Sequence, residues 1–445
     1  MLEAIGARDT EEIYASIPSA LRVKGLLDLP EPFSSEAELV RHVEGLLNRN
    51  ASTRDLLSFL GAGCYNHHVP AVCDEVNSRS EFLTAYAGEP YEDHGRFQSL
   101  FEYASQMGEL LEMDVVNVPV YDGFQAAATS LRMSARITRR SRVLVAGTTG
   151  ADLRSKIVDY LLPDLEVRVV AADSIDGTLD VAVLREALTS DVAGVLVQSP
   201  NYFGVVESGL AQIAEAVHSN GSLLVVSVDP ISLGVLAPPV TLGADIVCGD
   251  IQSLGMHQHF GGGQAGYIAV PDDPRFVEEL PSRLFGITPT SVSGELGFGD
   301  VAYERTSFAI REGGKEWVGT AAALWGITAG VYLALMGPQG MTELGETILA
   351  RTRYAMKVLN EIPGITVRHY SSSHFREFVV ELDPSGPTVT DLASALLDEG
   401  ILLGKDLTSE FVDLGQSVLV SVTEVTTQAD IDRLAARVRK VVTSR

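Results

Sequence analysis

The apolar positions of this chain change rhythm twice. In the first sixty residues they recur at helical intervals, with Leu39, Val43, Leu46 and Leu47 on one face. Ser34-Ser35-Glu36-Ala37-Glu38 sets hydroxyls and acids ahead of that pattern, the form of a helix N-terminus. Leu27–Pro32 reads as an extended linker before it, and residues 1–60 are expected to be helical. From about residue 110 short apolar runs alternate with helical stretches such as Leu210–Asn220. Val143–Ala146, Val167–Ala171, Gly194–Gln198, Leu223–Val228, Ile246–Cys248 and Ala265–Ala269 are bounded by Gly, Pro, Asp or Ser and read as buried strands. Strands apolar on both faces, separated by helices, predict a mostly parallel sheet covered on two sides. Residues 318–360 are helical again, and the run Val331–Met336 ends at Gly337-Pro338, which stops or breaks the helix.

After Pro363-Gly364 the pattern predicts strands at Ile365–His369 and Glu377–Leu382, a helix at Thr390–Glu399, a strand at Val418–Val422 and a helix at Ala429–Val442. Thr427-Gln428-Ala429-Asp430 has the form of a capping box with Asp in the last place. The expected organisation is an N-terminal helical segment and arm (1–109), a large α/β domain (110–317), connecting helices (318–364) and a small α+β domain (365–445).

Composition narrows the function classes. At 445 residues the chain exceeds one small core. A formal charge of −26 repels nucleic acid and anionic membrane surfaces. No apolar stretch approaches the ~20 residues of a membrane span. The acidic, amphipathic start MLEAIGARDTEEIYASI lacks a secretion-signal layout, so a cytoplasmic location is expected. Cys64, Cys73 and Cys248 are odd in number and widely spaced, a poor disulfide or zinc framework that fits a reducing compartment.

Two places carry candidate chemistry. Tyr121-Asp122-Gly123 precedes a helix start, where free backbone N–H groups and a positive dipole end suit a phosphate. An ordinary helix-start turn explains the same residues. Asp229 closes an apolar strand, where α/β sheets place ligands. It could pair with the ring nitrogen of pyridoxal phosphate (PLP), or simply bond the following turn. A PLP site also needs an amine for the Schiff base. The stretch 250–264, where it is expected, holds flexible glycines and no lysine, and the next lysine after Asp229 is Lys315. His257 and His259 share a face only in an extended strand and have no third ligand close in sequence, so no metal is expected. Trp317 and Trp325 read as packing groups.

Long ordered motifs then add to this reading. They include Phe59-Leu60-Gly61-Ala62-Gly63-Cys64-Tyr65-Asn66-His67-His68-Val69-Pro70, Arg79–Tyr86, Tyr121-Asp122-Gly123 and Ser199-Pro200-Asn201-Tyr202-Phe203-Gly204. Asp229-Pro230-Ile231-Ser232-Leu233-Gly234, Gln252-Ser253-Leu254-Gly255, Glu377-Phe378-Val379-Val380 and Val422-Thr423-Glu424 continue the series. On these motifs the chain resembles, nearly end to end, subunit 1 of glycine dehydrogenase (decarboxylating), the P-protein of the glycine cleavage system. The resemblance implies a PLP-dependent transferase-like fold (fold type I, aminotransferase-like). It implies glycine decarboxylation with transfer of the aminomethyl group to a lipoyl carrier protein. It also implies that a subunit-2-like homologue supplies PLP and its lysine, in a dimeric core doubled to a tetramer. Thr84 and Tyr86 are the implied catalytic contributions of this chain. Tyr121, Asp122, Gly123 and Asp229 are the implied cofactor-binding positions.

The chain departs from the family pattern at 87–96, at 256–264, where His257 and His259 intervene, at 311–317, and at Val425, where an arginine usually stands. Two other readings stay open from the sequence. One is a diverged paralogue serving another amino acid or acceptor in a specialised biosynthetic pathway. The other is a non-catalytic scaffold or regulatory subunit.

Overall fold

The computed structural model describes residues 1–82, 96–173, 175–281, 283–316, 321–368, 370 and 372–443. They divide into two compact units, Met1–Arg54 and Asp55–Arg445. In the first, Ser35 Oγ accepts the Glu38 N–H at 3.2 Å and starts the helix Glu36–Leu47, as its sequence predicts. The expectation of helix throughout 1–60 is too broad. Residues 14–35 form turns and extended chain, and Leu57–Ser58 (β1) is a strand.

The second unit is built on a seven-stranded sheet. Its strands are Val115–Val116 (β2), Arg142–Ala146 (β3), Glu166–Val170 (β4), Val192–Gln198 (β5), Leu223–Ser227 (β6), Ile246–Asp250 (β7) and Gly266–Val270 (β8). The order is β2-β8-β7-β6-β5-β3-β4; β4, β3, β5, β6 and β7 are parallel, β8 is antiparallel to β7, and β2 is antiparallel to β8 and so runs in the direction of the other five. Central strands such as β5 are buried almost throughout because helices cover both faces. β4 differs from its expected burial. It is the sheet edge, and Glu166, Arg168 and Val169 face outward. A hairpin of Phe285–Pro289 (β9) and Leu296–Asp300 (β10), unforeseen in the pattern, follows the sheet.

The long helix Ala323–Asn360 departs from helical geometry at Gly337, just before Pro338. Beyond it lie Ile365–Val367 (β11), Glu377–Leu382 (β12), Ile401–Leu402 (β13), Lys405–Asp406 (β14) and Ser417–Ser421 (β15). β11, β12, β15 and β14 form an antiparallel sheet backed by the helices Val389–Leu397 and Gln428–Thr443. The expected capping box is formed: Thr427 N–H donates to Asp430 Oδ2 at 2.9 Å, and Asp430 N–H to Thr427 Oγ1 at 3.2 Å. β1 pairs in parallel with β13, tying the start of the second unit to its C-terminal part. Among the described residues, no helix is long and apolar enough to cross a membrane.

Candidate functional site

The chain runs from β3 outward to β4, then back to the other side of β3 as β5. Open parallel sheets bind ligands beyond the carboxyl ends of their strands at such a reversal. A cavity of about 240 Å³ lies there, lined by Gly150 after β3, Gln198 at the end of β5, Ser227 at the end of β6 and Asp229 just after it, and Asp250 at the end of β7. Asp122 and Gly123 close one corner, and Arg376 and Glu377 reach in from the C-terminal part.

That reach has a backbone cause. Phe375 N–H donates to Gly204 O at 2.8 Å, and Val206 N–H to Ser373 O at 2.8 Å. This pairing of 373–375 with 204–206 carries the segment ahead of β12 across the sheet end. Arg376 takes φ +67, a left-handed conformation rare for a side-chain-bearing residue. Its guanidinium is buried over the Tyr65 ring, 4.1 Å from the centroid, with Nη2 2.9 Å from Asp229 Oδ2. The adjoining Glu377 accepts the Ala62 N–H at 2.6 Å and the Tyr65 O–H at 2.9 Å. Burial pushes its carboxyl up to about 7.

The residues singled out from sequence divide. Asp122 and Gly123 start the helix Gly123–Thr138, where Asp122 Oδ1 accepts the Gln125 N–H at 2.7 Å. The Gly123 N–H donates to Asp250 Oδ2 at 2.8 Å. Burial raises the Asp250 carboxyl to about 7 as well. Tyr121 lies outside the cavity lining, with its side chain half exposed. Thr84 and Tyr86, with the loop 87–95 and Trp317, lie outside the described residues. His257 Nε2 sits 2.9 Å from Asp74 Oδ1, and His259 packs 5.5 Å from the partly buried Trp325.

Sequence reasoning missed four of the groups that shape the cavity: Arg376, Glu377, Lys156 and Lys405. Glu377 opens a matched motif and Arg376 stands just before it, but both lie so far along the chain that only the tertiary pairing at 204–206 brings them to Asp229. Lys156 and Lys405, and not Lys315, are the lysines that line the cavity, because amines on either side of Asp229 in sequence reach it through the fold. Lys315 stands away from the cavity, 3.9 Å from Glu279 Oε1. Lys156 is paired with Asp152 at 2.8 Å, and Lys405 with Glu410 at 2.7 Å.

These contacts do not fit PLP. The helix N-terminus that would receive its phosphate is bonded to the Asp250 carboxylate and capped by Asp122. An anion there would meet two carboxylates. The Asp229 carboxylate that would face its ring nitrogen is paired with Arg376, and both lysines are engaged in ion pairs.

The comparisons with known proteins decide the family. The family profile described as glycine cleavage system P-protein matches residues 1–438. The chain belongs to the glycine cleavage system P-protein family. Among curated relatives of the P-protein family, it is 37% identical to the probable glycine dehydrogenase (decarboxylating) subunit 1 of Listeria innocua, over 99% of this chain and 96% of that protein. It is 38% identical to the protein of the same description from Geobacillus kaustophilus, over 97% and 94%. A crystal structure of glycine decarboxylase (P-protein) in inhibitor-bound form superposes with a TM-score of 0.85 at 31% identity, over 99% of this chain and 97% of that one. A sphingosine-1-phosphate lyase of Burkholderia pseudomallei (TM-score 0.64, 14% identity) covers 96% of this chain and 94% of its own, and shares the fold alone. So does an Escherichia coli cysteine desulfurase (TM-score 0.64, 15% identity), over 88% and 96%. The fold is that of the PLP-dependent fold type I enzymes.

Proposed function

We propose that this chain is subunit 1 of a P-protein-type glycine dehydrogenase (decarboxylating), and that a subunit-2-like homologue supplies PLP and its Schiff-base lysine. In that complex glycine loses its carboxylate, and the aminomethyl group passes to a lipoyl carrier protein. The observation that carries this reading is a P-protein fold, matched over residues 1–438, whose own cavity is committed to internal pairs: Arg376 with Asp229, and Gly123 with Asp250. A chain so built needs a partner to complete a PLP site. Tyr121, Asp122, Gly123 and Asp229 stand at the fold's cofactor-binding positions and serve folding here. Thr84 and Tyr86 reach the partner's site, where the Tyr86 phenol shields the reacting carbon from water. The domain division at 110, 318 and 365 and a two-plus-two tetramer belong to the same proposal.

Co-expression with a PLP-bearing homologue tests it. The expected result is a stable complex by light scattering that decarboxylates glycine in the presence of lipoylated carrier. A monomer that never associates would remove the shared-site argument. A complex inert to glycine but active on another amino acid would favour a diverged paralogue.

A further inference from the structure

Two polar groups lining the cavity lack hydrogen-bond partners. Arg376, 1% exposed, holds Nη2 near Asp229 without hydrogen-bond alignment, and its Nε and Nη1 meet no acceptor. Gln198 Oε1, at the end of β5, meets no donor. Buried polar groups are nearly always satisfied, so a buried donor and a buried acceptor without partners, in two residues that line one cavity, point to a missing partner. The partner must offer an acceptor to a guanidinium and a donor to an amide oxygen.

Charge narrows its class further. Five carboxyl groups and three cationic side chains line the cavity, and burial favours the neutral form of two of the five, Glu377 and Asp250. With those two protonated the charges balance at three and three, so a lone ion of either sign upsets the balance, and a lone cation also leaves Arg376 open. A neutral molecule with both charges meets both demands, and about 240 Å³ limits it to a small one. We propose that this cavity binds a small α-amino acid non-covalently as its zwitterion, the carboxylate accepting from Arg376 and the ammonium donating to Gln198 Oε1.

Arg376 Nε and Nη1, against the Tyr65 ring, and Gln198 Oε1 are buried, so binding includes rotation of both side chains, a common adjustment on complex formation. A carboxylate matches the planar fork of a guanidinium and provides the bidentate acceptor that Nε and Nη1 lack. The Asp229 contact at Nη2 can persist alongside it.

The test is calorimetric titration of the full chain, without partner or cofactor, using glycine, acetate and methylammonium as probes. Glycine is expected to bind one to one, at least tenfold tighter than either single-charge probe. Arg376→Met combined with Asp229→Asn keeps the buried site neutral and should weaken glycine binding at least tenfold. Gln198→Met, which leaves the ion pair intact, should weaken it severalfold. Thermal melts establish that each variant is folded. Absence of glycine binding would overturn the proposal, as would equal affinity for acetate or undiminished binding in both folded variants. The titration involves no turnover and no second subunit, so its failure leaves the proposed function standing, and failure of that function leaves this site standing.

Discussion

Burial pushes the Glu377 carboxyl up to about 7, whereas an unfolded chain titrates it near 4.3. The folded state therefore holds this proton more tightly. The stabilisation is fully present below about pH 4 and is lost as pH rises through 7, on the order of 3 kcal/mol for this group. Glu424 has the opposite sign. Burial opposes its charge, but the bond to His67 Nδ1 at 2.6 Å and the His68 N–H at 2.7 Å hold it down to about 2. Its stabilisation is present above about pH 4.3 and lost as pH falls toward 2. Thermal melts should thus show highest stability on the acid side of neutrality. Glu377→Gln should flatten the decline between pH 5 and 8, and an unchanged slope would mean that Glu377 is not the titrating group. Asp229→Ala should cost about 3–5 kcal/mol in denaturant unfolding, because it strands a buried guanidinium. A loss below 1 kcal/mol would mean that the pair does not form in solution.

At the scale of elements, the turn Ser199–Gly204 joins the sheet to the C-terminal part through backbone contact. A Cβ on Gly204 would lie 1.8 Å from Glu377 O, at a φ of +77 that disfavours side chains. Gly204→Ala should destabilise the chain by about 3 kcal/mol or more and displace Arg376 from Asp229. The helix Gln428–Thr443 presents a milder case. Thr427→Ala removes one half of its capping box and should cost about 1 kcal/mol in chemical denaturation. The central strand runs were legible because both faces of the sheet are covered there, so burial writes them into the sequence, while β4 was legible from its valines despite its exposed edge position. The β9–β10 hairpin was not, because Gly286, Gly297 and Gly299 and its exposed apolar positions blur any alternation.

For the whole molecule, the prediction concerns covalent capture of PLP. Incubation of the chain alone with PLP, borohydride reduction and peptide mapping should give no stoichiometric label. Lys156 and Lys405 are the lysines to watch, since they line the cavity and Lys315 does not. Full labelling of either would make this chain a cofactor carrier and end the helper-subunit reading. In the assembled complex, Tyr86→Phe should leave association intact and lower turnover, since only the hydroxyl is lost. Unchanged turnover would take Tyr86 out of the shared site.

Alone, the sequence determined the α/β order, the buried strands, the helix caps at Ser35 and Thr427, the break at Gly337-Pro338 and the family motifs. These are local properties: periodicity, capping chemistry and backbone restriction act within a few residues. It also placed Asp229 at a strand end and Gly123 at a helix start, because strand ends and helix starts are local too. Only the tertiary structure decided what those ends face. Arg376 lies 147 positions from Asp229, and Asp250 lies 127 positions from Gly123. No spacing rule links such pairs. They meet because β-sheet order and the 204–206 pairing bring distant backbone together, and charge and burial then settle which groups stay paired.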